Sequence, residues 1–179
     1  MMWKYFQWSE GQGPILIYLF NKDKGIFQVE RFLLANGIEP LTLENASTIS
    51  KKYVNFANIK SPELRQRALD ICKSHENYRG EYIKFILGTG KIRTGISFKF
   101  LSQAVVLEPD WNIPTTEQTI FRGARQFSHF HPFIQDTNKE LLVFRYRSTF
   151  SDKYLGTNLR LHVYTFTITL ILFIYRHTF

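Results

Sequence analysis

The run Pro14-Ile-Leu-Ile-Tyr-Leu-Phe20 has no charged residue and only one hydroxyl. A strand with one wet face alternates apolar and polar residues. A continuous run instead suits a strand covered on both faces, as in a parallel sheet layered between helices. A helix is expected next, with Ile26, Val29, Phe32 and Leu33 on one face and Asn36-Gly37 as its stop. Ser61-Pro62 opens a second helix, serine as cap and proline in the first turn, with Leu64, Ala68, Ile71 and Cys72 as its apolar stripe. Further strands are expected at Leu41–Leu43, Tyr82–Leu87, Ala104–Leu107 and Leu141–Tyr146, while Ser47–Lys60 shows no period and reads as an irregular connection. Thr115 or Thr116 is expected to cap a helix running to Phe127. Strands alternating with helices define an α/β fold with a mainly parallel sheet flanked by helices.

A chain of 179 residues suits one domain with a real core. Its 44% hydrophobic and 21% charged residues exclude a disordered chain, and a net charge of +8 suits a polyanionic partner. The single cysteine, Cys72, rules out an internal disulfide and fits a reducing compartment. Met1–Glu10 lacks the apolar core of a secretory signal. Beyond Ser151 the alternation of elements stops and acidic residues vanish after Asp152. Val163–Tyr175 there is shorter than the ~18–20 residues needed to span a bilayer, and Thr165, Thr167 and Thr169 alternate with Phe166, Ile168 and Leu170. A buried or mispaired strand is therefore expected, and a membrane anchor is the minor reading.

The candidate chemistry lies between Gly88 and His129. Gly88-Thr89-Gly90-Lys91 is not a phosphate loop, because GxxxxGK[ST] requires a glycine where Phe85 stands and a hydroxyl where Ile92 stands. No Asp-Glu pair of Walker B type occurs in the sequence. Arg122 and Arg125, three apart on one expected helix face, can both point at a polyphosphate, with Gln118 one turn earlier. A guanidinium fork is well suited to stabilise charge on a transferred phosphoryl group. The plain alternative for such arginines is a solvated helix face. Ser128, His129 and His131 lack a further ligand at metal-binding spacing, so no metal site is expected.

Together these residues resemble the C-terminal RecA-like domain of superfamily 2 helicases. The resemblance is nearest to the helicase and nucleoside-triphosphatase group of large cytoplasmic DNA viruses, kin of the poxvirus early transcription factor ATPase subunit. Pro14–Phe20 with Gly25-Ile26 looks like motif IV, Gly88 through Gly95-Ile96-Ser97 like motif V, and Pro109–Asn112 with Glu117–Arg125 like the approach to motif VI and motif VI itself. The Ser128-His129 that follows is typical of the viral group, where Swi/Snf-type relatives usually carry Gly-Gln. Phe121 departs from the family pattern, which has a small residue before the first arginine, and its ring is placed to crowd the interdomain cleft.

The resemblance implies residues 1–12 as an extension, 13–150 as a single RecA-like domain and 151–179 as an atypical apolar tail. It implies Arg125 as the finger on the γ-phosphate, Arg122 as its partner, and Gln118 and Gly95 at the nucleotide. Thr89, Ile96 and Ser97 are implied at the nucleic acid. ATP and Mg2+ would be held mainly by an N-terminal lobe that these residues do not include, so the isolated chain is expected to be inactive. Implied partners are DNA or RNA, a separate chain carrying that lobe, or viral transcription machinery, in host cytoplasm or virion. The rival expectations are a non-catalytic nucleic-acid-binding module and a Swi/Snf-type DNA translocase lobe.

Overall fold

The computed structural model describes residues 13–20, 25–90, 96–108, 112–121, 131, 133, 140–150 and 166–176. The apolar run becomes β1 (Ile15–Leu19), buried along its whole length. Helix α1 (Gly25–Ala35) follows, then β2 (Glu39–Pro40), β3 (Lys52–Asn55) and helix α2 (Pro62–Lys73). After a short 3-10 turn at His75–Asn77 come β4 (Phe85–Gly88), β5 (Gln103–Glu108), helix α3 (Ile113–Ile120), β6 (Glu140–Phe150) and β7 (Phe166–Arg176). The seven strands form one sheet in the order β2-β3-β4-β1-β5-β6-β7. The first six are parallel and β7 runs antiparallel to β6, from Glu140↔Arg176 to Phe150↔Phe166. This is the architecture of a RecA-like α/β domain. No helix among the described residues is long and apolar enough to cross a membrane.

Each face of the sheet buries its own apolar layer. Ile26, Val29 and Leu33 of α1 pack with Ile15, Ile17, Leu87 and Val105 on one face. On the other, Ala68, Ile71 and Cys72 of α2 and Ile120 of α3 pack with Leu16, Ile86, Ala104, Val106 and Val143. Side chains of this size contribute about 1.5–3 kcal/mol each when fully buried, so central β1, covered on both sides, anchors the domain. The helix ends form as their residues dictate. Ser61 Oγ accepts from Leu64 N at 3.2 Å with proline in the first turn, and Gly37 takes φ 74° just past α1.

The edge at the amino ends of the strands is tied together by polar groups. Gly13, at φ 93°, lies so close to its neighbours that a Cβ there would stand 2.3 Å from the Phe100 carbonyl oxygen. Its own carbonyl accepts from Lys84 Nζ at 2.7 Å and Ser102 Oγ at 3.2 Å, joining the entries to β1, β4 and β5. Buried Asn77 accepts from the backbone nitrogens of Tyr82 and Ile83, both at 3.0 Å, and donates to the Ile83 carbonyl at 3.1 Å.

Three sequence expectations need correction. The strand expected at Leu41–Leu43 lies instead at Glu39–Pro40, where the missing proline N–H is tolerated on an edge strand. β3 falls inside the stretch read as irregular. Its polar ends hide it, yet all four residues are buried. The Lys52 ammonium turns back to the carbonyls of Thr48 and Ser50, and Asn55 donates to Glu30 Oε1 at 2.9 Å. Helix α3 starts before the expected threonine caps, at Ile113, because Pro114 suits a first turn and leaves Thr116 buried within the helix. The strand expected near Val163–Tyr175 is present as β7.

Candidate functional site

In an open parallel sheet, ligands bind beyond the carboxyl ends of the strands, where neighbouring strands send their connections in opposite directions. Here β1 leads by α1 toward β2, whereas β5 leads by α3 toward β6, and β1 and β5 are adjacent. The switch point is therefore the carboxyl end of this pair. Phe20 N donates to the Glu108 carbonyl at 3.0 Å there, closing the gap between the strands. Gly25 starts α1 against them so tightly that a Cβ would come within 2.7 Å of Leu19 Cδ2, with the Glu108 carboxylate 3.5 Å away. A Cβ at Gly25 would require the Leu19 side chain to shift.

On the β4 side, Gly88 pairs with Tyr18, and Thr89 follows with 5% of its surface exposed. Ile96 is 2% exposed within the α2-side core, so whatever it offers a ligand comes from its backbone, while Ser97 is half-buried. Phe98 then packs beside Phe56, ring centroids 6.3 Å apart, just past the end of β3. Arg65, in the first turns of α2, caps the same corner. Its guanidinium donates to the Phe56 carbonyl at 3.3 Å and lies 5.7 Å from the Phe56 ring centroid.

On the β5 side, α3 presents Gln118 to solvent and keeps Thr116, Thr119 and Ile120 against the sheet. One residue before Gln118, Glu117 Oε1 pairs with Arg145 Nη2 of β6. Arg145 stands level with Val106 in the register, so the pair fixes α3 near the carboxyl end of β5 and beside the middle of β6. Sequence reasoning missed this bond, because nothing local links residues so far apart in the chain. The helix expected to run to Phe127 is described as far as Ile120, with Phe121, 42% exposed, as its C-cap, and its remainder lies outside the described residues.

Of the expected site residues, Thr89, Ile96, Ser97 and Gln118 are placed by the fold. Gly95, Arg122 and Arg125 lie outside the described residues. Among the described residues, no group of three or more His, Cys, Asp or Glu side chains is arranged to hold a metal ion. Burial pushes the Cys72 thiol up to about 12, so it is a core residue rather than a nucleophile.

A RecA-like lobe with this edge has its counterparts in large DNA viruses. The chain is 30% identical over 159 residues to a protein named as a helicase, 087L, of Invertebrate iridescent virus 3, a match covering 88% of this chain and 16% of that protein. It is 31% identical over 98 residues to nucleoside triphosphatase I of Choristoneura fumiferana entomopoxvirus, covering 51% of this chain and 15% of the relative. It is 22% identical over 165 residues to an early transcription factor large subunit homolog of African swine fever virus, covering 80% and 15%. No protein-family model matches the chain. The chain is thus homologous to viral helicases and nucleoside triphosphatases over much of its length, at modest identity. It spans about one-sixth of the length of these relatives.

Proposed function

We propose that this chain is the C-terminal lobe of an ATP-dependent nucleic-acid helicase or translocase of superfamily 2. The observation that carries the reading is the carboxyl edge of the sheet. It brings the Thr89 and Ser97 segments and the Gln118 helix to one side of a domain homologous to viral helicases. Residues 13–150 form the lobe in this reading, 1–12 an extension and 151–179 an appended segment whose strand β7 lies beyond β6.

Arg125 is assigned to stabilise the charge that develops on a transferred phosphoryl group, and Arg122 to pair beside it. Gln118 and Gly95 orient these groups toward the nucleotide, and Thr89, Ile96 and Ser97 face the nucleic-acid backbone. When bound, ATP with Mg2+ supplies the phosphoryl group and the free energy of each step. Of the residues needed to hold it, this chain has neither phosphate loop nor Walker B pair. Those parts must come from a second lobe, on the same polypeptide or on a partner chain. The location that follows is that of large DNA virus transcription or replication machinery, in host cytoplasm or virion.

The test combines the purified chain with a separately expressed lobe that carries a phosphate loop. Turnover is expected only in the mixture, and Arg125→Ala is expected to lower it by ~10³ or more, with Arg125→Lys recovering only part. A wild-type chain that fails to raise the turnover of the other lobe overturns the reading.

A further inference from the structure

A ring cluster sits at the amino edge, on the far side of the sheet from the nucleotide edge. His131 stands 5.2 Å from Tyr78, 5.2 Å from His75 and 5.9 Å from Phe100, centroid to centroid. Tyr78 and Phe100 flank the entries to β4 and β5, and their carbonyl oxygens crowd Gly13, which fixes the cluster on this edge. Phe133 packs its ring 6.3 Å from His131, yet 90% of its surface is exposed. Its ring face is therefore open to stacking by a planar partner.

Two cationic side chains reach the cluster. The Arg79 guanidinium lies 5.1 Å from the Tyr78 ring centroid. Lys99 Nζ donates to His75 Nε2 at 3.2 Å, which places the lone pair of His75 on that nitrogen. Burial, then the Lys99 ammonium and the His131 imidazole, holds the pKa of His75 below the usual histidine value, so the ring stays uncharged beside Lys99. Lys73 and Arg79 are exposed in the same stretch of chain, as are the acids Glu76 and Glu81. An exposed ring beside cationic side chains is the pairing that binds unpaired bases and their phosphates.

We propose that Phe133, backed by His131 and Tyr78, is a stacking platform for a base of single-stranded nucleic acid, with Arg79 and Lys99 placed for the flanking phosphates. The proposal rests on the reading that the chain acts on nucleic acid and adds a contact away from the Thr89–Ser97 surface. Substitution at Phe133 does not threaten folding, because the side chain is almost wholly exposed.

Anisotropy titrations with a labelled oligothymidine single strand and a blunt duplex, each at several salt concentrations, test it. Phe133→Ala is expected to weaken single-strand binding about 5- to 100-fold, with an unchanged salt slope and unchanged duplex binding. Phe133→Trp is expected to restore or tighten it. Arg79→Ala is expected to reduce the salt slope for the single strand by about 0.7. Unchanged single-strand affinity for Phe133→Ala, or an equal loss on duplex, overturns the platform while leaving the helicase reading in place. A wild-type chain that binds neither strand overturns both.

Discussion

At the amino edge of the sheet, Lys84 and Ser102 donate to the Gly13 carbonyl and Asn77 pairs with the backbone of Tyr82 and Ile83, all at 2.7–3.2 Å, and a single methyl group added at Gly13 would strike a carbonyl. At the carboxyl edge, Ser97 is half-buried, Gln118 is exposed, and the Phe20 and Phe121 rings are 43% and 42% exposed. The polar bonds of the amino edge therefore hold the strands in place, with the exposed Phe133 ring outside them, whereas the carboxyl edge turns Gln118 and two phenyl rings outward. The contrast teaches how a parallel sheet divides its work. Backbone groups entering the strands find partners within the chain, and beyond the carboxyl ends side chains face outward, where ligands of such sheets bind.

Substitutions at the two edges should separate stability from activity. The largest effect is expected at Gly13. Gly13→Ala must adopt a positive φ and displace a carbonyl, costing on the order of 3 kcal/mol, read from the urea midpoint. A melt unchanged from wild type would break the comparison at once. Asn77→Ala comes next, at about 2 kcal/mol, because it strands two buried backbone donors. Here too, unfolding in urea is the measurement.

The pH dependence of stability sharpens the same edge. The folded-state pKa of His75 is depressed from 6.5. At pH values near and below 6.5 the unfolded chain therefore binds more protons than the folded one, and stability rises with pH. The contribution is fully present above 6.5 and is lost as pH falls through the folded-state value. Thermal melts should show this decline in wild type and a flatter profile in His75→Phe. Parallel profiles would remove the imidazole from the account. The smallest stability effect belongs to the other edge. Gln118→Ala should lie within about 0.5 kcal/mol of wild type, yet lower turnover of the reconstituted motor about 10- to 100-fold through lost alignment.

Much of the fold was legible because its signals are local. The β1 run, the Ser61-Pro62 start and the Asn36-Gly37 stop each declare themselves within a few residues. β3 was hidden because burial of Lys52 and Asn55 depends on carbonyls at Thr48 and Ser50 and on the Glu30 carboxylate of α1, none of which is readable from the strand itself. The start of α3 was misplaced because Thr115 and Thr116 read as caps in the sequence, whereas Asn112 takes the cap position, without a side-chain cap bond, and Pro114 sits in the first turn. At the candidate site, the exposure of Gln118 follows the helical period. The Glu117–Arg145 bond, by contrast, exists only once α3 lies across β6. Arg122 and Arg125 were picked out by residue type, spacing and the resemblance to motif VI.

The most direct measurement of the central claim is ATP hydrolysis by the purified chain alone, with and without single-stranded nucleic acid. As a lobe that has an arginine pair but no phosphate loop or Walker B acid, it is predicted to show no turnover above background under either condition. Robust turnover that Arg125→Ala abolishes would mean that these residues hold and cleave the nucleotide unaided, and would contradict the account.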